Sequence, residues 1–169
     1  MNAFLGYLED QLNDNGRNGT PLFQPQSRQE TGMDAEKAAL FHAGLDTPIG
    51  QARWRRAWGA FDPRGLIIGH IDLRAHADSC TAHRALLGMG VHRDHRGRGL
   101  GRSLIEFVIG WALRSTALDW IDLDLLAGNV PAERLYRSAG FEEVGAIPDM
   151  FRIDGQSVRR VLMSKRLRS

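Results

Sequence analysis

Hydrophobic residues near the start of the chain recur at the spacing of an α-helix. One side of a helix with 3.6 residues per turn would carry Phe4, Leu5, Leu8 and Leu12. The polar run at 13–16, Asn-Asp-Asn-Gly, is typical of a helix end. From 17 to 32 the chain is rich in Gly, Pro, Gln and Ser and poor in apolar residues. The pattern therefore predicts a short first helix followed by an irregular loop.

A second helix is predicted to contain Leu40 and Phe41. Thr31 and Asp34 are the candidate caps at its start, because their side-chain oxygens can accept from the amides of a first turn. Gly44 is the candidate stop. The sequence thus predicts two helices before the first strand.

Strand patterns occupy the middle of the chain. Two runs, from Ala52 to Phe61 and from Leu66 to Arg74, flank the residues Asp-Pro-Arg-Gly at 62–65, which suit a tight hairpin turn. The next run, Ala85 to Val91, is apolar on both faces, as is typical of a central strand. Leu100 to Ala112 then repeats apolar residues at helical spacing, which predicts a helix of about four turns.

The last part of the chain alternates strands and a short helix. Strands are predicted at Trp120 to Ala127, Phe141 to Gly145 and Ser157 to Leu167, with a helix from Pro131 to Ala139 that Gly140 ends. Antiparallel strands followed by strand–helix–strand units predict an α+β fold with a mixed sheet. The long helix would join a parallel pair of strands within that sheet.

The composition is that of an ordinary globular chain. Its 169 residues, 43% hydrophobic and 25% charged, suit a single domain spanning 1–169. We find no apolar run long enough for a membrane span and no basic-then-apolar leader, and Cys80 is the only cysteine. These features predict a cytoplasmic protein. The six histidines lack metal-ligand spacing, so no metal site is expected.

The segment from Val91 to Ser103, between a predicted strand and a predicted helix, is rich in Gly, Arg and His. A helix N-terminus presents unpaired amides and a partial positive charge, and it binds phosphate when no side chain obstructs the approach. Glycines at 97, 99 and 101 remove that obstruction. The sequence lacks the Gly-Lys-Ser/Thr of a Walker loop, and Arg102 stands where a dinucleotide fingerprint needs glycine. A turn that only connects strand to helix is the structural alternative.

Two segments of the chain carry a family resemblance. Residues 96–101, Arg-Gly-Arg-Gly-Leu-Gly, resemble the Arg/Gln-x-x-Gly-x-Gly/Ala signature of the GNAT superfamily of N-acetyltransferases. Residues 129–141 resemble its Asn-x-x-Ala-x-x-Leu-Tyr-x-x-x-Gly-Phe segment. The resemblance is close from Ala85 to Gly145. It implies a twisted, mostly antiparallel sheet flanked by helices, with a parallel central pair splayed at the cofactor site.

The resemblance also implies an activity. Acetyl-CoA would be the acyl donor, and a primary amine would attack it directly in a ternary complex. The chain departs from the family where it begins with a helix in place of the usual first strand. It departs again at His92-Arg93-Asp94, where the family often has proline.

Roles for particular residues follow from the resemblance. Tyr136 matches the general acid that protonates the coenzyme A sulfur, and Asn129 matches a ligand of the pantetheine arm. Packing on the sheet is the alternative role for the tyrosine, and capping of the following helix is the alternative for the asparagine. Backbone amides of Met89 and Val91 would bind the acetyl carbonyl and the pantetheine. The residues expected at the phosphates are Arg96, Gly97, Arg98, Gly99, Gly101, Arg102 and Ser103.

The general base is less well defined by the sequence. Asp124 falls where several family members carry a glutamate that acts through water, although an exposed strand aspartate is the plain alternative. Asp72 and His70 are further candidates. Cys80 is disfavoured as an acyl-carrying nucleophile, because no base is visible near it in the sequence.

Two other classes of function compete with the enzyme. Four arginines and two histidines between 92 and 102 would also suit a nucleic-acid-binding module, but the interleaved glycines favour a single pyrophosphate. A non-catalytic acetyl-CoA-binding domain would not need Tyr136. The expected partner is an amine acceptor, either a small molecule or a peptide N-terminus, and a homodimer is compatible with the sequence. Neither nucleic acid nor membrane is expected as a partner. Trp54, Trp58 and Phe61 are candidates either for an apolar acceptor pocket or for packing against the N-terminal helices.

Overall fold

The described part of the chain forms four α-helices and six β-strands. The computed structural model describes residues 2–30 and 35–168, so the candidate caps Thr31 and Asp34 lie outside the described residues. The helices are α1 (Asn2–Asn13), α2 (Ala35–Asp46), α3 (Leu100–Ser115) and α4 (Val130–Ser138). The strands are β1 (Arg55–Phe61), β2 (Ile67–Arg74), β3 (Arg84–Val91), β4 (Trp120–Leu126), β5 (Glu142–Ile153) and β6 (Gln156–Arg166).

The strands belong to one mixed sheet in the order β1-β2-β3-β4-β6-β5. The pairs β1–β2, β2–β3 and β5–β6 are antiparallel. β3 and β4 are parallel, with Arg84 opposite Trp120 and Leu86 opposite Asp122, as a crossover through α3 requires. β3 continues beside β2 as far as Val91. The predicted α+β fold, with a mostly antiparallel sheet and a parallel central pair, is confirmed.

The chain divides into two compact units. One contains Met1–Met33 and Leu123–Ser164, and the other contains Asp34–Asp122 and Lys165–Ser169. That residues 1–169 act as one domain stays a prediction.

In the unit of Asp34–Asp122, α3 covers one face of the strands. Ile71 and Leu73 of β2 are fully buried, and a Cβ added at Gly69 would lie 3.2 Å from side-chain atoms of Leu100 and Leu104 of α3. Alternate residues of a strand point to opposite faces, so the odd-numbered positions of β2 face this helix. Full burial of such a side chain contributes about 1.5–3 kcal/mol. The described apolar residues of this unit that have zero exposure are Ile71, Leu73, Ala85, Ile105, Val108, Ala112 and Ile121.

Aromatic side chains extend this packing to β1. The ring of Trp58 lies 4.6 Å from that of Trp111 and 5.6 Å from that of Phe107, both on α3. Trp58 is opposite Ile71 in the register, so it must point to the α3 face. The prediction that Trp58 packs against the N-terminal helices is therefore wrong, because its ring packs on α3. Trp54 is buried just before β1, whereas Phe61 is exposed at its end.

The opposite face of these strands meets α2. The Arg55 guanidinium lies 4.2 Å above the centre of the Phe41 ring of α2. A Cβ at Gly44 would come within 2.7 Å of the carbonyl oxygen of Arg53. Gly44 therefore allows a close approach inside the helix, and the prediction that it ends α2 is wrong, since the helix continues to Asp46.

In the unit of Met1–Met33 and Leu123–Ser164, the loop after α1 packs on the β5–β6 hairpin. Leu22 lies against a cluster of Leu126, Ile153 and Val158. Asp154, at the hairpin turn, accepts hydrogen bonds from the Ser27 hydroxyl (2.6 Å) and the Arg28 amide (3.2 Å). No helix or strand interrupts residues 17–30, so the predicted loop is confirmed for this described part.

Two strand boundaries differ from the prediction by more than one residue. β1 begins at Arg55, not at Ala52, because the chain turns at 51–54, where the Trp54 amide donates to the Gln51 carbonyl at 3.4 Å. β5 runs to Ile153, well beyond the predicted end at Gly145. A register shift between Ile147 and Phe151 interrupts the alternation that would have revealed the second half of the strand.

Candidate functional site

The segment between β3 and α3 has a defined backbone conformation. The His92 amide donates to the Ile68 carbonyl at 2.9 Å and so continues the sheet by one bond. Residues Arg93–His95 form a short 3-10 turn. Nε of Arg96 donates to the Val91 carbonyl at 3.0 Å. This contact holds the Arg96 side chain against the loop to which it belongs.

Glycines open the approach to the first turn of α3. Gly97 has φ 72° and Gly99 has φ 84°, a region that residues with a side chain rarely adopt. A Cβ added at either position would meet no atom within 4 Å, so that space is open. Gly99 is the N-cap of α3 and offers no side-chain cap to the amides of the first turn. Amides of this kind, together with the partial positive charge at the start of a 16-residue helix, are the groups that hold anions at helix N-termini in general.

Arginine side chains surround this helix start. Arg98 is exposed, and the Arg102 side chain is 52% exposed with Nη1 3.7 Å from Glu106 one turn later. Ser103 lies in the first turn of α3, where its amide donates to the Gly99 carbonyl at 3.1 Å. Met89 and Val91, partly buried on β3, lie opposite Ile71 and Gly69 of β2.

The second motif forms α4 in the other unit. Tyr136 is buried, and its ring meets the Phe141 ring edge to face at 5.8 Å. Asn129 caps α4 by accepting from the Ala132 amide at 3.3 Å, so its capping role is realised. Gly140 has φ 84° directly after the helix and supports its predicted stop. The same unit holds Asp124 on β4, whose carboxylate forms an ion pair with Arg160 of β6.

The remaining base candidates lie on β2, on the face opposite α3. Asp72 is buried and forms ion pairs with Arg55 (3.4 Å) and Arg74 (3.2 Å). Burial lowers the pKa of His70 to about 4, against the opposing effect of Asp72 and with a smaller lowering effect of Arg55. The imidazole of His70 is therefore neutral at neutral pH. Cys80 is exposed in the 3-10 turn Ser79–Thr81.

Sequence reasoning missed two polar clusters. One joins Asp72 to Arg55 and Arg74, and its signal was available: His70, Asp72 and Arg74 alternate with Gly69, Ile71 and Leu73 along a single strand. In the other, Asp122 accepts from Nε of Arg84 at 2.8 Å and lies 2.9 Å from Nε2 of His76. No local pattern predicts that contact, because it joins residues far apart in the sequence.

Within residues 2–30 and 35–168, no group of three His, Cys, Asp or Glu side chains could hold a metal ion. Among the described helices, none is long and apolar enough to cross a membrane.

Comparison with known proteins agrees with the fold and the loop. The model of the acetyltransferase (GNAT) family matches residues 22–141, more than half of the chain. The chain therefore belongs to the acetyltransferase (GNAT) family. This confirms the resemblance seen in the two motifs, and it confirms acetyl-CoA as the expected acyl donor at the level of the family.

Several acetyltransferases are similar to this chain. The chain is 38% identical over 84 residues to the streptothricin acetyltransferase of Escherichia coli, a match that covers 50% of this chain and 45% of that protein. A GNAT acetyltransferase from Streptococcus pneumoniae superposes with a TM-score of 0.78 at 20% identity, over 97% of this chain and 91% of that chain. A phosphinothricin acetyltransferase from Sinorhizobium meliloti, in complex with AcCoA, gives 0.79 at 18% identity over 98% and 84%. At these identities the two structures support the fold alone.

Proposed function

We propose that this chain is an acetyl-CoA-dependent N-acetyltransferase that acetylates a primary amine by direct attack in a ternary complex. The observation that carries the proposal is the start of α3. There, unobstructed glycines at positive φ lead into uncapped amides, directly after the central strand of a GNAT fold. This arrangement suits a pyrophosphate, because the amides of the first turn have no side-chain cap and no Cβ at positions 97 or 99 obstructs the approach.

The donor would be held by two kinds of groups. Backbone amides at Gly97, Gly99 and Gly101 would bind the pyrophosphate, with Ser103 beside them in the same turn. The guanidinium groups of Arg96, Arg98 and Arg102 add positive charge where the phosphates would lie. Amides of Met89 and Val91 on β3 would bind the acetyl carbonyl and the pantetheine. Asn129 would add a hydrogen bond to the pantetheine while it caps α4.

Chemistry would need a proton acceptor and a proton donor. A neutral amine attacks the thioester carbonyl, a C–N bond forms, and the C–S bond breaks with the electron pair on sulfur. Asp124, oriented by Arg160, would take the proton from the amine, and the Tyr136 phenol would give a proton to the departing thiolate. Burial of Tyr136 supports this role, since a phenol fixed by packing holds its hydroxyl in a constant direction.

Binding and turnover test the proposal together. Titration calorimetry with acetyl-CoA and with desulfo-coenzyme A should show saturable binding, and both ligands should raise the melting temperature. A panel of primary amines should then yield an N-acetylated product detected by mass spectrometry. Absence of binding contradicts the proposal. Binding without transfer to any amine would favour a non-catalytic acetyl-CoA-binding domain instead.

A further inference from the structure

A partly buried polar cluster lies on the face of β1, β2 and β3 that is turned away from α3. It consists of Arg55, His70, Asp72 and Arg74, and we call it the β2 cluster. Arg55 of β1 is opposite Arg74 of β2 in the register. Asp72 and His70 are two and four residues before Arg74 on β2, so the four side chains lie on one face of the sheet. α3 covers the other face and begins at the glycine-rich segment 96–101, the proposed pyrophosphate site. α2 packs on this face at Arg55 through the Phe41 ring. A donor held at the start of α3 would leave the part of the face around Arg74 for an acceptor.

The β2 cluster holds more positive than negative charge. Nε of Arg55 is 3.4 Å and Nη1 of Arg74 is 3.2 Å from the same oxygen, Oδ1 of Asp72. The side chains of Arg55, Arg74 and Asp72 are only 21%, 32% and 6% exposed. Burial lowers the pKa of Arg55, the charge of Asp72 opposes this, and the charge of Arg74 adds to the lowering. Since His70 is neutral at neutral pH, one carboxylate faces two guanidinium groups.

A surplus cation in a poorly solvated place is costly unless an anion meets it. Arg55 also packs over the Phe41 ring, whereas Arg74 is the more exposed of the two arginines. Each guanidinium carries five N–H donors, and the contact of Arg74 with Oδ1 of Asp72 uses one of its nitrogens.

Gly88 connects this charge to β3. A Cβ added at Gly88 would collide with Oδ2 of Asp72 and would lie 2.9 Å from Nη1 of Arg74. Both charged groups therefore reach over the strand next to Met89, whose amide is the proposed ligand of the acetyl carbonyl. Of the two arginines, Arg74 is the more exposed and the one that extends to Gly88.

From this geometry we infer that the acceptor is an amine that also carries a carboxylate, and that Arg74 of the β2 cluster binds that carboxylate. The inference rests on the proposed function and names the substrate class of the same site. Guanidinium groups bind carboxylates through paired, charge-assisted hydrogen bonds, which would also orient the amine. A polycationic acceptor would instead meet the surplus positive charge.

The experiment compares matched acceptors on one enzyme. A set of L-amino acids, the corresponding amino acid amides and the polyamine spermidine are assayed with acetyl-CoA, and the N-acetylated products are quantified by mass spectrometry. We expect kcat/KM for the acids to exceed that for the amides by roughly 10- to 100-fold, the worth of a charge-assisted pair. The amides have the more readily deprotonated amine, so a slower reaction of the amides reflects the lost carboxylate.

Variants of one residue complete the test. Arg74→Gln should remove the preference for acids over amides, and Arg74→Lys should retain part of it. Because acids and amides are assayed on the same variant, partial unfolding cannot change their ratio. Arg64→Gln, at an arginine whose side chain is 76% exposed in the β1–β2 turn, is the matched control and should keep the wild-type ratio.

Several outcomes overturn the inference. Equal or faster acetylation of the amides or of spermidine contradicts it, as does an unchanged acid preference in Arg74→Gln. Those results leave the proposed function intact, because acetyl transfer to an amine would still be observed. Loss of acetyl-CoA binding, or binding without transfer to any amine, contradicts the proposed function and the inference with it.

Discussion

At the scale of single residues, Gly99 offers a test of the proposal that the start of α3 binds a pyrophosphate. Gly99→Val should abolish acetyl-CoA binding in calorimetry, because a branched side chain would enter the open space and disfavour the φ of 84°. Gly65→Val is the matched control, since Gly65 has φ 81°, equally open space and a place in the β1–β2 turn. The control should lose comparable stability and keep the affinity. Unchanged affinity in Gly99→Val would show that the loop only connects β3 to α3.

The Tyr136 hydroxyl separates an enzyme from a binding protein. Tyr136→Phe keeps the ring against Phe141 and removes the proposed proton donor, so turnover should fall roughly 10- to 1000-fold with little change in acetyl-CoA affinity. Steady-state kinetics across a pH range would measure this. Tyr7→Phe, at the only other tyrosine and also buried, should retain wild-type turnover. Wild-type rates in Tyr136→Phe at every pH would assign the phenol to packing.

At the scale of elements, the Asp154 turn fastens the loop that follows α1. The carboxylate accepts from Ser27 and Arg28, and these bonds lower the pKa of Asp154. Asp154→Asn should keep the turn, because asparagine tolerates a positive φ, but it loses the charge that holds Arg28. We expect faster tryptic cleavage after Arg28, followed by mass spectrometry. Asp149→Asn, at another exposed aspartate with positive φ, should cleave at the wild-type rate.

Local patterns predicted the elements well where one period dominates. The helical spacing of apolar residues in α3 and the Asp-Pro-Arg-Gly turn of the β1–β2 hairpin are local signals. Both elements were predicted at their observed places. The second half of β5 was missed because a register shift breaks its alternation. The Asp-Gly pair at 154–155, with φ 49° and 77°, is a strong hairpin signal that would have located the end of that strand.

The candidate site likewise contains residues that local motifs point to and contacts that depend on the tertiary fold. The glycines at 97, 99 and 101 and Tyr136 stand in contiguous motifs, so the sequence alone could nominate them as candidates. The ion pair of Asp124 with Arg160 and that of Asp72 with Arg55 depend on which strands become neighbours. Gly44 shows the same limit, since its need for space arises from a tertiary approach to Arg53 and not from a helix end.

At the scale of the whole molecule, His70 links stability to pH. Its pKa is about 4 in the folded chain and about 6.5 when unfolded, so below pH 6.5 only the unfolded state gains the proton. The free energy of unfolding should therefore decline as pH falls from about 6.5 to 4, with a loss of about 1.4 kcal/mol at pH 5.5. Urea denaturation at several pH values measures this.

Variants isolate that contribution. His70→Gln should remove this part of the pH dependence, because glutamine does not titrate. His83→Gln, at an exposed histidine, should keep it. An identical slope in His70→Gln and in the wild-type chain would show that other groups control the acid sensitivity.

The exposed position of Cys80 has a practical consequence for any assay of this protein. In the proposed reaction coenzyme A leaves as a free thiol, and colorimetric disulfide reagents respond to every accessible thiol. One sulfhydryl per polypeptide would therefore add a constant background that scales with enzyme concentration and not with time. A Cys80→Ser chain would remove that background, and the wild-type chain would accept a fluorophore at a single defined position.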